Sequence, residues 1–412
     1  MKGLFILLAC AFLGGGCNNS EDTPVTLPPW EVGKDLQLPG ADLRAAVDHN
    51  TGFVVGLYSN VRQQSENLVL SPASISLALA MTYAGARGET ERQMSNVLHF
   101  ELSQERLHPA LGKLVKSLPG DNPELAVANR LWGVKGYSFR DPFLAITRNN
   151  YGAELARTTF PEPGRKEINT WVADRTSGKI PQLLNEGVLD NQTVLVLVSA
   201  IYFKGKWVEP FAGTQTAPDD FYVTPAKVTK VPMMHAEYLV FPYRETEEVQ
   251  ILELPYRAAS ESRACSMFIL LPKAKDGLAK LEDSLTAEKL RSLISLPARK
   301  GALPVYLPKF NFSSAFSLLG ILKSMGLTNV SDFRGMTEEG SPFLSAVEHA
   351  GFINVNEEGT EAAAATAVVV KSSRPLHLPV IFRADHPFVF VIRHNASGSI
   401  LFLGRVMNPQ AG

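Results

Sequence analysis

The 412-residue chain is two to three times the ~150 residues of an average domain, so it admits several domains or one large body with a sizeable core. Forty basic residues against 41 acidic ones leave a formal charge of -1, which gives no reason to expect nucleic acid or an anionic membrane surface as a partner. Hydrophobic residues at 45% and charged residues at 20%, with 31 Gly and 27 Pro, exclude disorder, collagen and coiled coil.

Met1-Lys2 precedes an apolar run from Leu4 to Leu13, and Gly14-Gly15-Gly16-Cys17 follows. The run is about half the ~20 residues that span a bilayer as a helix, but it fits the core of a secretory signal. The cysteine after small residues resembles the acylated cysteine of bacterial lipoproteins. That resemblance implies a signal peptide over 1–16, lipid attachment at Cys17 and an anchored place in the cell envelope, periplasmic or at the surface. Leu13 lies one place farther from Cys17 than the pattern prefers; Cys10 has better spacing but leaves a shorter apolar core. Residues 17–40 carry four prolines and no sustained apolar period, as a semi-extended tether does. The remainder, 41–412, has no second linker and no repeat, and is expected to form one body. Cys265 is its one cysteine, so packing and not a disulfide must stabilise it.

Within that body, Ser71-Pro72 ahead of ASISLALAMTYAGARG supplies an N-cap, a proline at the first helical position and Gly85 as a stop. Thr90 and Gln93 have capping-box spacing before Met94, Val97 and Leu98, which predicts a second helix. EINTWVADRTSGK puts Ile168, Trp171 and Val172 on one side of a third, ending near Gly178. Past residue 190 the runs VLVLVSAIYF, ILELPY, SMFILL, LPVYLPKFNF, PFVFVI and ILFLGR read as strands, the continuously apolar ones as central strands covered on both faces. Helices early and strands late argue for an α+β fold.

Signatures of catalysis are missing: there is no GxSxG, HExxH, Walker loop or GxGxxG, and one body cysteine cannot make a CxxC metal site. The sequence therefore calls for no cofactor and no metal. The informative stretch is 356–375, NEEGTEAAAATAVVVKSSRP. Read at period two, Thr360, Ala362, Ala364, Thr366, Val368 and Val370 share one small face, with Glu361 on the other. Taken alone the alanines suit a surface helix, but three β-branched valines and Pro375 oppose its continuation. A segment without bulk suits two states, exposed or slipped between strands.

Here the chain resembles the serpins over residues 45–409. The carriers are NLVLSPASISLALAMTYAGARGET from Asn67, ANRLW from Ala128, INTWVADRTSGKI from Ile168, AIYFKGKW from Ala200, VPMM from Val231, LELPY from Leu252, LPKFNF from Leu307, VNEEGTEAAAATA from Val355 and ADHPFVFVI from Ala384. The resemblance implies a single domain of three β-sheets and about nine helices, with an exposed reactive loop at 357–375. It implies no enzyme, but an irreversible inhibitor used once. A peptidase attacks the loop and forms an acyl-enzyme, the cut loop inserts as a central strand, and the peptidase is dragged along and distorted. The hinge residues Glu357, Glu358, Gly359, Thr360, Glu361, Ala362, Ala363, Ala364 and Ala365 match the inhibitory pattern. Non-inhibitory members, the alternative as binding proteins or chaperones, often carry bulky or charged residues there. An envelope enzyme with an unrecognised site is a further alternative, unsupported by any nucleophile and base pair.

Counting along the family's usual loop length places the acyl-forming residue at Ser373, and a loop longer by one at Arg374. Pro375 makes cleavage after Arg374 poor, so Lys371-Ser372 is the better bond for a basic-specific enzyme, and Val370 or Ser373 suits an elastase- or subtilisin-like one. Expected partners are serine peptidases of trypsin, elastase or subtilisin type, together with papain-like cysteine peptidases, and for the anchored form a membrane. By resemblance Ser71, Ser74 and His349 form the polar cluster that controls sheet opening. Ser199 stands where the family has Asn, and its shorter side chain is not expected to make the same bridge. Lys309 and Glu357 resemble a salt-bridged pair at the top of the sheet near Trp207, whose loss is expected to lead a monomer into loop-sheet polymers.

Overall fold

The computed structural model describes residues 40–63, 66–118, 124–237, 240–261, 264–299, 301–338, 342–360 and 380–410. Cys10, Cys17, the tether, the second part of the hinge from Glu361, and every candidate reactive bond, Val370, Lys371, Ser372, Ser373 and Arg374, lie outside them.

Nine α-helices occur among the described residues: α1 Ala41–Val61, α2 Pro72–Tyr83, α3 Gly88–Leu98, α4 Gln104–Ser117, α5 Asp141–Tyr151, α6 Gly164–Arg175, α7 Leu278–Asp283, α8 Ala287–Ser295 and α9 Leu318–Ser324. The α2 start follows its sequence signals: Pro72 takes the first turn and the Ser71 hydroxyl accepts from Ser74 N–H at 3.2 Å. The capping box at Thr90 does not form. Helix α3 already begins at Gly88, and Thr90 lies inside it, buried, with its hydroxyl donating to Asn329 Oδ1 at 2.7 Å.

The strands make three sheets. A six-stranded central sheet runs β11 (Phe310–Ser317), β12 (Leu344–Asn356), β13 (Gly359–Thr360), β4 (Leu195–Lys206), β2 (Glu124–Val134) and β3 (Ala156–Thr158). A second runs β1 (Leu68–Leu70), β16 (Ile400–Val406), β15 (Phe388–His394), β9 (Cys265–Pro272), β8 (Val249–Pro255) and β7 (Tyr243–Glu245). The third has four strands, β14 (Phe382–Arg383), β10 (Val305–Pro308), β6 (Lys227–Ala236) and β5 (Ala217–Thr224). The fold is α+β, but the expected order of helices then strands is not clean. The 11-residue β2 lies early, and α7 to α9 fall among the later strands. The run LPVYLPKFNF is also not one strand: β10 ends at Pro308, and β11 resumes at Phe310 in a different sheet.

Strand β4 shows why its run is apolar throughout. Leu195, Leu197, Ile201 and Phe203 belong to the main core, where Phe203 meets Phe402 of β16 at 6.0 Å between ring centres. The alternate residues Val196, Val198 and Ala200 join a second cluster with Ile168 and Val172 of α6. Period two thus splits one sequence between two cores, one on each face of the sheet.

Candidate functional site

Strands β4 and β12 pair in parallel from Leu344↔Leu195 up to Gly351↔Ile201. Above that point they part, and Gly359-Thr360 stands between them as β13. It is antiparallel to β12 through Val355↔Thr360 and to β4 through Thr360↔Gly205. The chain reverses at Glu357-Glu358, where the Asn356 side-chain oxygen accepts from Glu358 N–H at 3.0 Å and Gly359 N–H at 3.3 Å. Only glycine fits at 359, because a Cβ there would stand 2.0 Å from the Gly205 carbonyl oxygen. Thr360 is 1% exposed, and its hydroxyl meets the Tyr256 hydroxyl at 2.7 Å. Tyr256 in turn stacks on Trp207 at 4.5 Å.

The turn is pinned from three sides. Glu357 carboxylate oxygens accept from Lys309 Nζ at 2.9 Å and Thr216 Oγ1 at 2.8 Å, and its carbonyl accepts from Phe211 N–H at 2.8 Å. Trp207 donates its backbone N–H to Glu358 O at 2.8 Å and its indole N–H to Asn356 O at 3.1 Å. Burial pushes the Glu357 carboxyl up, but the hydrogen bonds from Lys309, its own backbone and Thr216 outweigh it and hold the group below its ordinary value. The pair with Lys309 was named by the resemblance; Thr216 was not.

Two rows below the parting lies the cluster of Ser71, Ser74, Ser199 and His349, all buried. His349 Nε2 accepts from Ser71 N–H at 3.1 Å, so its proton sits on Nδ1, 3.0 Å from the Ser199 carbonyl. Burial pulls this imidazole down to about 3, against the Ser199 carbonyl, which acts the other way. It is neutral, as the Ser71 bond requires.

Ser199 does bridge, contrary to its expected failure. Its Oγ lies 3.2 Å from His349 Nδ1 and 3.0 Å from Ser74 Oγ. The amide missing from its position is supplied by the neighbouring strand. Asn129 of β2, opposite Ser199 in the ladder, accepts from Ser74 Oγ at 2.8 Å and donates to Ser74 O at 2.8 Å. With Ser74 donating to Asn129, the Ser199 hydroxyl donates to Ser74, and every polar atom along this line is matched. Sequence reading missed Asn129, although it stands in the quoted ANRLW; antiparallel register with Ser199 was the signal that would have found it.

A profile described as Serpin (serine protease inhibitor) matches residues 48–409. The chain is a serpin. It is 42% identical over 379 residues to the leukocyte elastase inhibitor of Equus caballus, covering 87% of this chain and 98% of the relative. Against the leukocyte elastase inhibitor of Homo sapiens the figure is 40% over 379 residues, with the same coverage. Among solved structures, the Tenebrio molitor serpin Serpin48 superposes with a TM-score of 0.79 at 31% identity, covering 89% of this chain and 98% of that one. The family is one of inhibitors and not of catalysts, and its three-sheet fold is the one described above.

This serpin carries an unusual group beside the cluster. Glu348 of β12 has the parity of Ala346 and Ala350, which belong to the second apolar cluster; it is 6% exposed and accepts from Ser317 Oγ at 2.9 Å. Burial pushes its carboxyl up to about 7, only partly opposed by that hydrogen bond. A raised carboxyl stabilises the fold fully below its unfolded pKa and loses that contribution as pH rises through about 7. Glu348→Gln is therefore expected to match the parent near pH 4 and to exceed it by on the order of 3 kcal/mol at pH 8, the gap opening as pH rises from the ordinary carboxyl value to about 7. Denaturant melts at the two pH values check this; a gap that does not widen with pH contradicts it.

Proposed function

We propose that this serpin is a single-use inhibitor of serine peptidases that traps its target as an acyl-enzyme and inserts the cut loop between β4 and β12. The observation that carries the reading is the hinge: Gly359-Thr360 already stands in the parting of those strands, and the alternate residues beyond it, Ala362 to Val370, stay small. About a dozen further ladder hydrogen bonds at roughly 0.5–1.5 kcal/mol each, with side-chain burial, give on the order of 10–20 kcal/mol before ordering entropy. Deforming a peptidase of ~5–15 kcal/mol stability is within that range.

The relatives named as leukocyte elastase inhibitors support an elastase-like target. We extend the range to trypsin- and subtilisin-like enzymes through Lys371-Ser372, and to cut sites after Val370 or Ser373. Papain-like cysteine peptidases are included because they too form an acyl-enzyme. The leader pattern with Cys17 supports export and a lipid anchor in a bacterial envelope, where such an inhibitor would meet foreign or resident peptidases.

The fold also serves binding, as in the solved human thyroxine-binding globulin, which matches with a TM-score of 0.80 at 29% identity over 90% of this chain. The unobstructed hinge favours inhibition over that role. The test is incubation with a panel of elastase, trypsin, subtilisin and papain at equal molarity. Complexes that survive a denaturing gel, with released C-terminal fragments beginning at more than one residue by mass spectrometry, are expected. Turnover of the serpin without complex by every enzyme would overturn inhibition, and a single cut site with all of them would overturn the breadth.

A further inference from the structure

Among the paired rows of β4 and β12, one carboxylate interrupts an otherwise uncharged seam. Glu348 stands one row below the Ser199 and His349 pair, in register with Val198 of β4 on one side and Ser317 of β11 on the other. Its side chain is buried, with the parity of Ala346 and Ala350, whose apolar cluster also takes Ile168 and Val172 from α6. Ser317 Oγ is its one hydrogen-bond donor among the described residues. An ionised carboxylate has about four acceptor sites, so a single hydroxyl leaves its charge mostly unsolvated.

The elements packed around it supply no countercharge. Strands β1, β11 and β13 carry no ionisable residue, and Lys204 and Lys206 stand at the far end of β4. Lys323 of α9 is exposed, and so are the charged residues of α6 except Arg165, which pairs with Glu162. Lys179, after α6, lies 5.4 Å from the ring centre of Phe352, two same-face positions further along β12. None of these charges contributes to the raised Glu348 carboxyl, which burial sets against the Ser317 bond alone. The neighbouring His349 points to the other face and is neutral above about 3, while the Glu357 carboxyl at the hinge is held below its ordinary value. Between pH 6 and pH 8, Glu348 is therefore the one of these three that changes charge.

Closed strands favour the neutral carboxyl, because only Ser317 meets it. Parted strands favour the ionised form, because water reaches the row of Val198 and Glu348. We propose that Glu348 is a pH-sensitive latch on the central sheet, which holds β4 and β12 together while protonated and eases their separation once ionised. The folded carboxyl is raised, so the latch is complete below the ordinary carboxyl value and is lost as pH rises through about 7. The latch needs no peptidase. Its consequence, loop insertion that is faster at neutral and alkaline pH than in weak acid, rests on the inhibitor reading.

Hydrogen exchange of the intact chain, read by mass spectrometry and corrected for the intrinsic pH dependence of amides, tests the latch directly. A group that returns from about 7 to the ordinary carboxyl value on opening shifts the opening equilibrium by about tenfold between pH 6 and pH 8. Peptides covering 195–201 and 344–351 are expected to show that rise in the parent, and less than a twofold change in Glu348→Gln. In both proteins they should exchange well ahead of peptides from β9 and β15, which lie outside the seam. No rise in the parent, or an equal rise in Glu348→Gln, would overturn the latch. Seam peptides that exchange no sooner than β9 and β15 would also overturn it, since the carboxyl would then weaken the whole body and not the seam. The rate of covalent complex formation, taken as the ratio of parent to Glu348→Gln so that the pH dependence of the peptidase cancels, is expected to rise from pH 6 to pH 8. A flat ratio would overturn the link to insertion. With the exchange step present, absence of complex from both proteins would count against the inhibitor reading and not against the latch.

Discussion

Thr360→Arg is expected to convert the proposed inhibitor into a substrate. In the intact chain this side chain is 1% exposed between β12 and β4, against the Tyr256 hydroxyl. An arginine there must either bury its charge beside an uncharged phenol or withdraw β13 from the sheet. Burial of an unpaired charge costs several kcal/mol, so the hinge withdraws. In the proposed mechanism the same cost opposes the first step of insertion after cleavage, while hydrolysis of the acyl-enzyme is untouched. Each 1.4 kcal/mol added to the insertion barrier shifts that competition about tenfold towards hydrolysis. The yield of covalent complex is therefore expected to fall by at least tenfold, with the serpin recovered cleaved and the peptidase active. Thr360→Ser, which keeps the hydroxyl and the small volume, is expected to retain the complex. A denaturing gel after equimolar mixing decides, and undiminished complex from the arginine variant refutes the role given to this position.

Loss of Glu357 acts at the other end of the same turn. Its carboxylate joins Lys309 of the β10–β11 segment to Thr216 while its carbonyl takes the Phe211 N–H, so one residue ties the hairpin to three neighbours. Lys309 is 37% exposed, and the ion pair alone is worth about 1 kcal/mol or less after solvent screening. The Thr216 bond adds about 1 kcal/mol. Glu357→Ala is thus expected to lower the opening barrier by about 1–2 kcal/mol, which makes loop-sheet polymers form roughly five to thirty times faster on mild heating. The carboxyl lies below its ordinary pKa, so its contribution is present above that ordinary value and is lost as pH falls through the lowered one. The parent should approach the variant in acid. Native gels over a time course at pH 7 and pH 4 measure both effects; equal polymer rates at pH 7 contradict the tie.

Much of this was legible in residue order because it is local. Ser71-Pro72 starts α2 by hydrogen bonding within one turn, and the alternate residues of β4 enter two cores because the pleat has period two. The motifs that carry the family resemblance also named Lys309 with Glu357, and Ser71, Ser74 and His349, as neighbours. What escaped reading depends on register between distant strands. Asn129 becomes a partner of the cluster only because β2 and β4 align it opposite Ser199. Thr90 has the spacing of a cap, but a hydroxyl partner 239 residues away at Asn329 draws it into the interior. The break at Pro308 to Phe310 looks continuous in composition, yet Lys309 N–H bonds to Pro232 O in the third sheet before the chain crosses to β11. Glu348 was invisible for the opposite reason: a charge in a strand reads as a solvent face, and only the folded arrangement, with Ser317 of β11 opposite it, buries it.

Trapping by loop insertion requires that the intact chain rest above its lowest free energy, with a seam held shut by the Ser74, Ser199, His349 and Asn129 contacts and already begun at Gly359-Thr360. The most direct measurement compares the melting temperature of the intact serpin with that of the same protein cut once within 361–375. A sharp rise on cleavage, by tens of degrees, is expected. Coincident melting of the two forms would contradict it.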